Sequence, residues 1–61
     1  MSEQTIAVAV AAELRRLGHT VEVIVEEILG DTTFRIDNGP ELYFTQFLRK
    51  AGEIIDREKQ K

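Results

Sequence analysis

The chain has 61 residues and a net charge of −3; 43% of its residues are hydrophobic and 31% charged, with one histidine and no cysteine. We expect residues 1–61 to form a single small domain, since the length leaves no room for a second one. Its ends, at about 1–3 and 57–61, are expected to be flexible. A fold of this length buries only about 60% of the surface that the unfolded chain exposes, so its core is small. The composition excludes a disulfide-stapled scaffold and a thiolate metal site. The acidic balance argues against a dedicated nucleic-acid binder.

The first predicted element is a helix from about Gln4 to Leu17. Four alanines between positions 7 and 12 favour a helix over a strand. Apolar residues recur at the helical period, and this face consists of Ile6, Val10, Leu14 and Leu17. Val8 lies nearly opposite that face. Gly18 follows at the position where a glycine commonly ends a helix.

A β-hairpin is predicted between Thr20 and Asp37. In its first strand Val21, Val23 and Val25 face one way, while Glu22, Ile24 and Glu26 face the other. The adjacent acids at positions 26 and 27 interrupt this alternation, so we expect a bulge or an early strand end there. Gly30 and Asp31 form the turn. The return strand places Phe34 and Ile36 on the core face.

A second helix is predicted to begin at Pro40, since proline is favoured at the first helical position. Its apolar stripe consists of Tyr43, Phe44, Phe47, Leu48, Ala51, Ile54 and Ile55. The sequence therefore predicts an α+β fold of order α-β-β-α, with two helices packed on one face of a two-stranded antiparallel hairpin. This order resembles that of the small phage head–tail joining proteins. The resemblance is one of topology and transfers no site residues.

The sequence offers little for catalysis. His19 is the single histidine and no nucleophile motif accompanies it, so we expect a solvated or helix-capping role. Glu22 and Glu26 lie on one strand face roughly 13 Å apart, which exceeds the separation in glycosidases. Glu26, Glu27 and Asp31 lack the spacing of a calcium loop. We therefore predict a protein that is not an enzyme, with no cofactor and no metal site.

Protein binding is the predicted function, beginning with a homodimer through Val8, Ile54 and Ile55. A second helix of this length overhangs a short hairpin and leaves the two isoleucines without cover. The alternative is that Gly52 bends the helix and returns them to the chain's own core. The acidic hairpin face, formed by Glu22, Glu26, Glu27 and Asp31, is predicted to contact a basic protein partner.

The alternative function is that of a nucleic-acid-associated regulator. It depends on two basic pairs, Arg15-Arg16 and Arg49-Lys50, which could contact phosphates if the helices bring them together. The competing interpretation is helix solubility and favourable interaction with the helix dipole. No apolar run is long enough to span a membrane, and no basic segment typical of a signal peptide starts the sequence. We therefore expect a cytoplasmic protein with no membrane partner.

Overall fold

The computed structural model describes residues 3–60. They form α1 (Glu3–Arg16), β1 (Val21–Val25), β2 (Thr32–Ile36) and α2 (Phe44–Lys59), in that order. The strands pair antiparallel, so that β1 begins opposite the end of β2. Both helices contact this hairpin and each other. The predicted α+β fold of order α-β-β-α is confirmed.

Helix α1 ends in a Schellman motif built around Gly18, as the sequence predicts. The Gly18 N–H donates to the Arg15 carbonyl and the His19 N–H donates to the Leu14 carbonyl, both at 3.0 Å. Gly18 has a φ of 97°, a conformation that side chains with a β-carbon rarely adopt. The motif satisfies the last carbonyls of the helix and directs the chain into β1.

The core lies where the two helices meet the hairpin. Leu14 and Phe47 are its largest fully buried side chains, and the Phe47 ring stacks on Phe34 with centroids 4.3 Å apart and planes 13° apart. The other buried apolar residues are Ala7, Ala11, Val21, Ile36 and Ala51. Phe34 and Ile36 therefore occupy the core face of the hairpin, as predicted.

The buried stripe of α1 differs from the predicted face. It runs through Ala7, Ala11 and Leu14, whereas Ile6, Val10 and Leu17 are only partly buried. Alanine side chains allow a close approach of the helix axis to its neighbours, so the alanine stripe faces the core and the larger residues flank it.

The prediction that α2 begins at Pro40 is wrong. Asp37 and Asn38 have positive φ values of 52° and 60°, and the Gly39 N–H donates to the Ile36 carbonyl at 3.0 Å. This is a type I′ turn, which reverses the chain tightly. It sends the proline and the residues that follow back along β2 in an extended conformation.

Leu42 then pairs with Phe34 in an isolated β-bridge. The Leu42 N–H donates to the Phe34 carbonyl at 2.7 Å, and the Phe34 N–H donates to the Leu42 carbonyl at 2.8 Å. The bridge delays the helix until Phe44, where the Gln46 side-chain oxygen accepts the Tyr43 N–H at 3.1 Å. Beside the hairpin there is thus one residue of a third strand, which the sequence pattern did not indicate.

Helix α2 continues through Gly52 and ends at Lys59, with Gln60 as its C-cap. The predicted flexible end at 57–61 is therefore helical as far as Lys59; the predicted flexible segment 1–3 lies outside the described residues except for Glu3. Ile54 and Ile55 are partly buried against the core. Because both side chains pack against the chain's own core, the expectation that a helix overhang leaves them without cover is not met. The role of these isoleucines in an interface stays a prediction.

Candidate interaction surface

The core face of the hairpin is covered over only half of its length. Val21 is buried, but Val23 and Val25 on the same face remain 51% and 61% exposed. Above them, Val8 of α1 is 63% exposed. A groove of about 630 Å³ separates α1 from this part of the hairpin, and its lining includes Val8, Ala11, Arg15, Val23, Val25 and Phe34. Three valines thus form a continuous apolar lining that the helices leave open.

The bridge to Leu42 fixes the direction of the backbone groups in both strands. The N–H and C=O of Phe34 point to Leu42, which lies on the side of β2 away from β1. Phe34 and its cross-strand partner Val23 are therefore a non-hydrogen-bonded pair. By alternation, the N–H and C=O groups of Val21, Val23 and Val25 point away from β2, along the outer edge of β1.

One end of this outer edge is occupied. The guanidinium of Arg15 donates through Nη2 to the Val21 carbonyl at 2.9 Å. No residue within the described range 3–60 bonds the outward backbone groups of Val23 or Val25. We call these two residues the open edge of β1. It lies beside the groove and exposes donors and acceptors next to apolar side chains.

The tip of the hairpin carries both exposed apolar side chains and acidic ones. The loop closes when the Glu26 N–H donates to the Asp31 carbonyl and the Gly30 N–H donates to the Glu26 carbonyl, both at 2.7 Å. Ile28 and Leu29 are 90% and 75% exposed at its end. β1 stops at residue 25, which confirms the predicted early strand end.

The acidic residues predicted to contact a partner are all exposed. On the face away from the helices, Glu22 lies across from Arg35, with Oε2 and Nη1 3.8 Å apart. Around the tip, no basic side chain of the described chain forms an ion pair with Glu26, Glu27 or Asp31. Negative charge is therefore concentrated at the tip and partly offset at mid-strand.

The two basic pairs occupy different surroundings. Arg15 lines the groove. Arg16 forms a bidentate ion pair with Glu13, its Nε lying 3.1 Å from Oε2, and this contact lowers the pKa of Glu13 and raises that of Arg16. Arg49 and Lys50 line a separate shallow depression near the start of α2. Arg15 and Arg16 are thus engaged within their own chain.

His19 and Asp37 tether the α1–β1 linker to the end of β2. Nδ1 of His19 lies 2.7 Å from Oδ2 of Asp37, and Oδ1 accepts the Thr20 N–H at 2.9 Å. The hydrogen bond with His19, followed by that from the Thr20 backbone, holds the pKa of Asp37 below its usual value. The sequence interpretation of a solvated or capping histidine missed this contact, which joins residues far apart in sequence.

Within residues 3–60, no group of three or more histidine, aspartate and glutamate side chains is placed to hold a metal ion. In the same part of the chain, neither helix has the length and apolar character needed to cross a membrane. No protein-family model, curated protein or solved structure matches this chain. The candidate surface therefore has to be interpreted from its own geometry.

Proposed function

We propose that this chain is a small protein–protein interaction module that binds through the groove between α1 and β1. The observation that supports it is the open apolar lining formed by Val8, Val23 and Val25. A hairpin face that is buried at one end and open at the other is explained most simply by a second polypeptide that covers the open end. The proposal includes a cytoplasmic site of action, which the absence of cysteine suits.

Surface area supports the same conclusion. The chain exposes 4646 Å², whereas a compact protein of its mass exposes about 4,000 Å². The excess approaches the roughly 800 Å² that each partner buries in an interface of standard size. Completing the burial of each half-exposed valine contributes about 1 kcal/mol, and the apolar tip at Ile28 and Leu29 adds to the surface.

The alternative of nucleic-acid binding has weaker support. Arg16 is paired with Glu13, so its contact with a phosphate would compete with a bond inside the chain, and Arg15 is held at the edge of β1 by its hydrogen bond to the Val21 carbonyl. Arg49 and Lys50 are exposed, but two cations supply little of the counterion release that drives nucleic-acid binding.

The proposal is tested with an immobilised wild-type chain and two variants of equally exposed residues. Val25 lies in the groove and Tyr43 lies outside its lining, and both are 61% exposed. We expect Val25→Asp to lose the proteins that the wild type captures and Tyr43→Ser to keep them, with circular dichroism showing that both variants fold. Capture that is unchanged in Val25→Asp, or lost equally in both variants, would overturn the proposal, as would a wild type that binds neither another protein nor itself.

A further inference from the structure

We propose that the second polypeptide that covers the groove is another copy of this chain, which contributes its own β1. Two chains would join their open edges antiparallel about a two-fold axis, which produces one four-stranded sheet of order β2-β1-β1-β2. This inference rests on the proposed function, because it names the occupant of the same surface. It differs from a dimer held by α2, since the contact lies at the opposite side of the hairpin.

The backbone selects one register. Arg15 holds the Val21 carbonyl, so Val23 and Val25 are the residues of β1 whose outward donor and acceptor are both free. In an antiparallel pair these are satisfied when Val23 of each copy faces Val25 of the other, which forms four hydrogen bonds between the chains. Ile24 then meets its own counterpart on the two-fold axis, as a non-hydrogen-bonded pair. A shift by two residues toward Val21 would require the carbonyl that Arg15 already occupies.

The same register buries the apolar lining. Val23 and Val25 of the second copy continue the hairpin face beneath α1 of the first, where the groove now leaves Val8 exposed. Because the symmetry applies the contact twice, the α1 helices of the two copies lie side by side above the joined strands. An uncovered edge strand with apolar side chains is a liability that folded proteins remove by pairing or covering it.

Charge complementarity favours a second copy over an unrelated strand. Antiparallel pairing brings the tip of one hairpin, with Glu26, Glu27 and Asp31, alongside the Arg15 end of the other β1. On the opposite face Glu22 faces Glu26 of the second copy, a like-charge contact that opposes pairing. Arg35 lies 3.8 Å from Glu22 and offsets that repulsion. Each chain therefore offers the other an edge with the same valines and with free backbone groups, and the charges that meet at each end of the paired strands are opposite.

Disulfide trapping tests the register directly, because the chain has no native cysteine. Ile24→Cys places one thiol from each copy at the axis, where opposed Cα atoms lie about 4.5 Å apart and a disulfide can form. We expect an oxidised dimer on a non-reducing gel. Thr33→Cys lies on the same face but one strand further from the axis, and Glu22→Cys is roughly 13 Å out of register, so both should stay largely monomeric.

Solution mass tests the role of the edge backbone. We expect the wild type at tens of micromolar to have twice the 6.9 kDa chain mass by sedimentation equilibrium. The Val25 N–H faces outward, so Val25→Pro removes no hydrogen bond of the hairpin but deletes an interchain donor, and the dimer dissociation constant should rise at least tenfold. Val25→Thr keeps the donor and the branched side chain and should change the constant less.

A wild type that remains monomeric at 100 micromolar overturns the inference. So does a dimer in which Ile24→Cys crosslinks no better than Thr33→Cys, since its interface would lie elsewhere. If the wild type is monomeric but still captures a protein that Val25→Asp cannot, the proposed function stands and only the second copy is refuted. Loss of both self-association and groove-dependent capture refutes both.

Discussion

Phe47 is the residue whose truncation should be most damaging, because it is fully buried and stacked on Phe34. Replacing a buried phenylalanine by alanine costs about 3–5 kcal/mol, and an aromatic pair adds about 0.5–1.5 kcal/mol beyond area burial. A domain of this length has a total stability of about 3–9 kcal/mol. We therefore expect Phe47→Ala to remove a large part of that stability and to melt far below the wild type. Phe47→Leu, which keeps most of the apolar volume, should cost about 1–2 kcal/mol.

The assay is thermal unfolding followed by circular dichroism at 222 nm, at one fixed protein concentration because self-association would raise the melting temperature. One kcal/mol corresponds to about 4–8 °C in a domain of this size, so Phe47→Leu should melt about 4–16 °C below the wild type. Phe44→Leu is the matched control. The Phe44 ring is tilted against Phe34 at 6.5 Å and only partly buried, so its loss should be smaller. A cooperative melt of Phe47→Ala close to that of the wild type would refute the assignment of this ring to the centre of the core.

Three further predictions concern the backbone, pH and nucleic acid. Gly18→Ala should lower the melting temperature because φ is 97° there, whereas Gly52→Ala should raise it slightly, since its new β-carbon meets nothing within 4 Å in a helix; shifts of the same sign would contradict this. The pKa of Asp37 is lowered mainly by its hydrogen bond with His19, so ionised Asp37 stabilises the folded chain. This stabilisation is complete above the ordinary aspartate pKa of about 3.9 and is lost as the pH falls through the lowered pKa. Asp37→Asn should therefore destabilise the chain at pH 7 but not near pH 2, and an equal loss in melts at both pH values would exclude the tether. Duplex and single-stranded probes should bind no more tightly than about 1 micromolar in 0.15 M salt, and tighter binding in fluorescence anisotropy would restore the nucleic-acid hypothesis.

Features that depend on neighbouring residues could be predicted from the sequence. Gly18 is recognisable because the helical period stops directly before it, and the Schellman bonds form within six residues. The core positions of Phe34 and Ile36 follow from alternation within one strand. The early end of β1 follows from two adjacent acids that cannot both face water on a regular strand.

Features that depend on distant residues could not be predicted. Pro40 satisfies the local rule for a helix start, but the bridge between Leu42 and Phe34 delays the start of α2 until Phe44. Asp37 and Asn38 were the available signal, because aspartate and asparagine are favoured at the two central positions of a type I′ turn, where φ is positive.

The candidate surface could not be predicted in full either, because it too depends on residues that are distant in sequence. Alternation places Val23 and Val25 on the core face of the hairpin, but it does not say how far along that face a helix extends. That depends on where α1 docks, which the alanine stripe at Ala7 and Ala11 decides. The sequence therefore identifies the face that these valines share, but not that the helices cover only one end of it.

The bridge between Leu42 and Phe34 also has a consequence for the order in which the chain folds. Phe34 meets Leu42, Phe44 and Phe47 across short stretches of chain, and a loop of about ten residues closes in roughly 10–100 ns. Contacts between α1 and α2 instead span the whole hairpin and close slowly. We expect β2 and α2 to form the folding nucleus, with α1 docking last. Substitutions on the buried face of α1 would then mainly accelerate unfolding and leave the folding rate nearly unchanged.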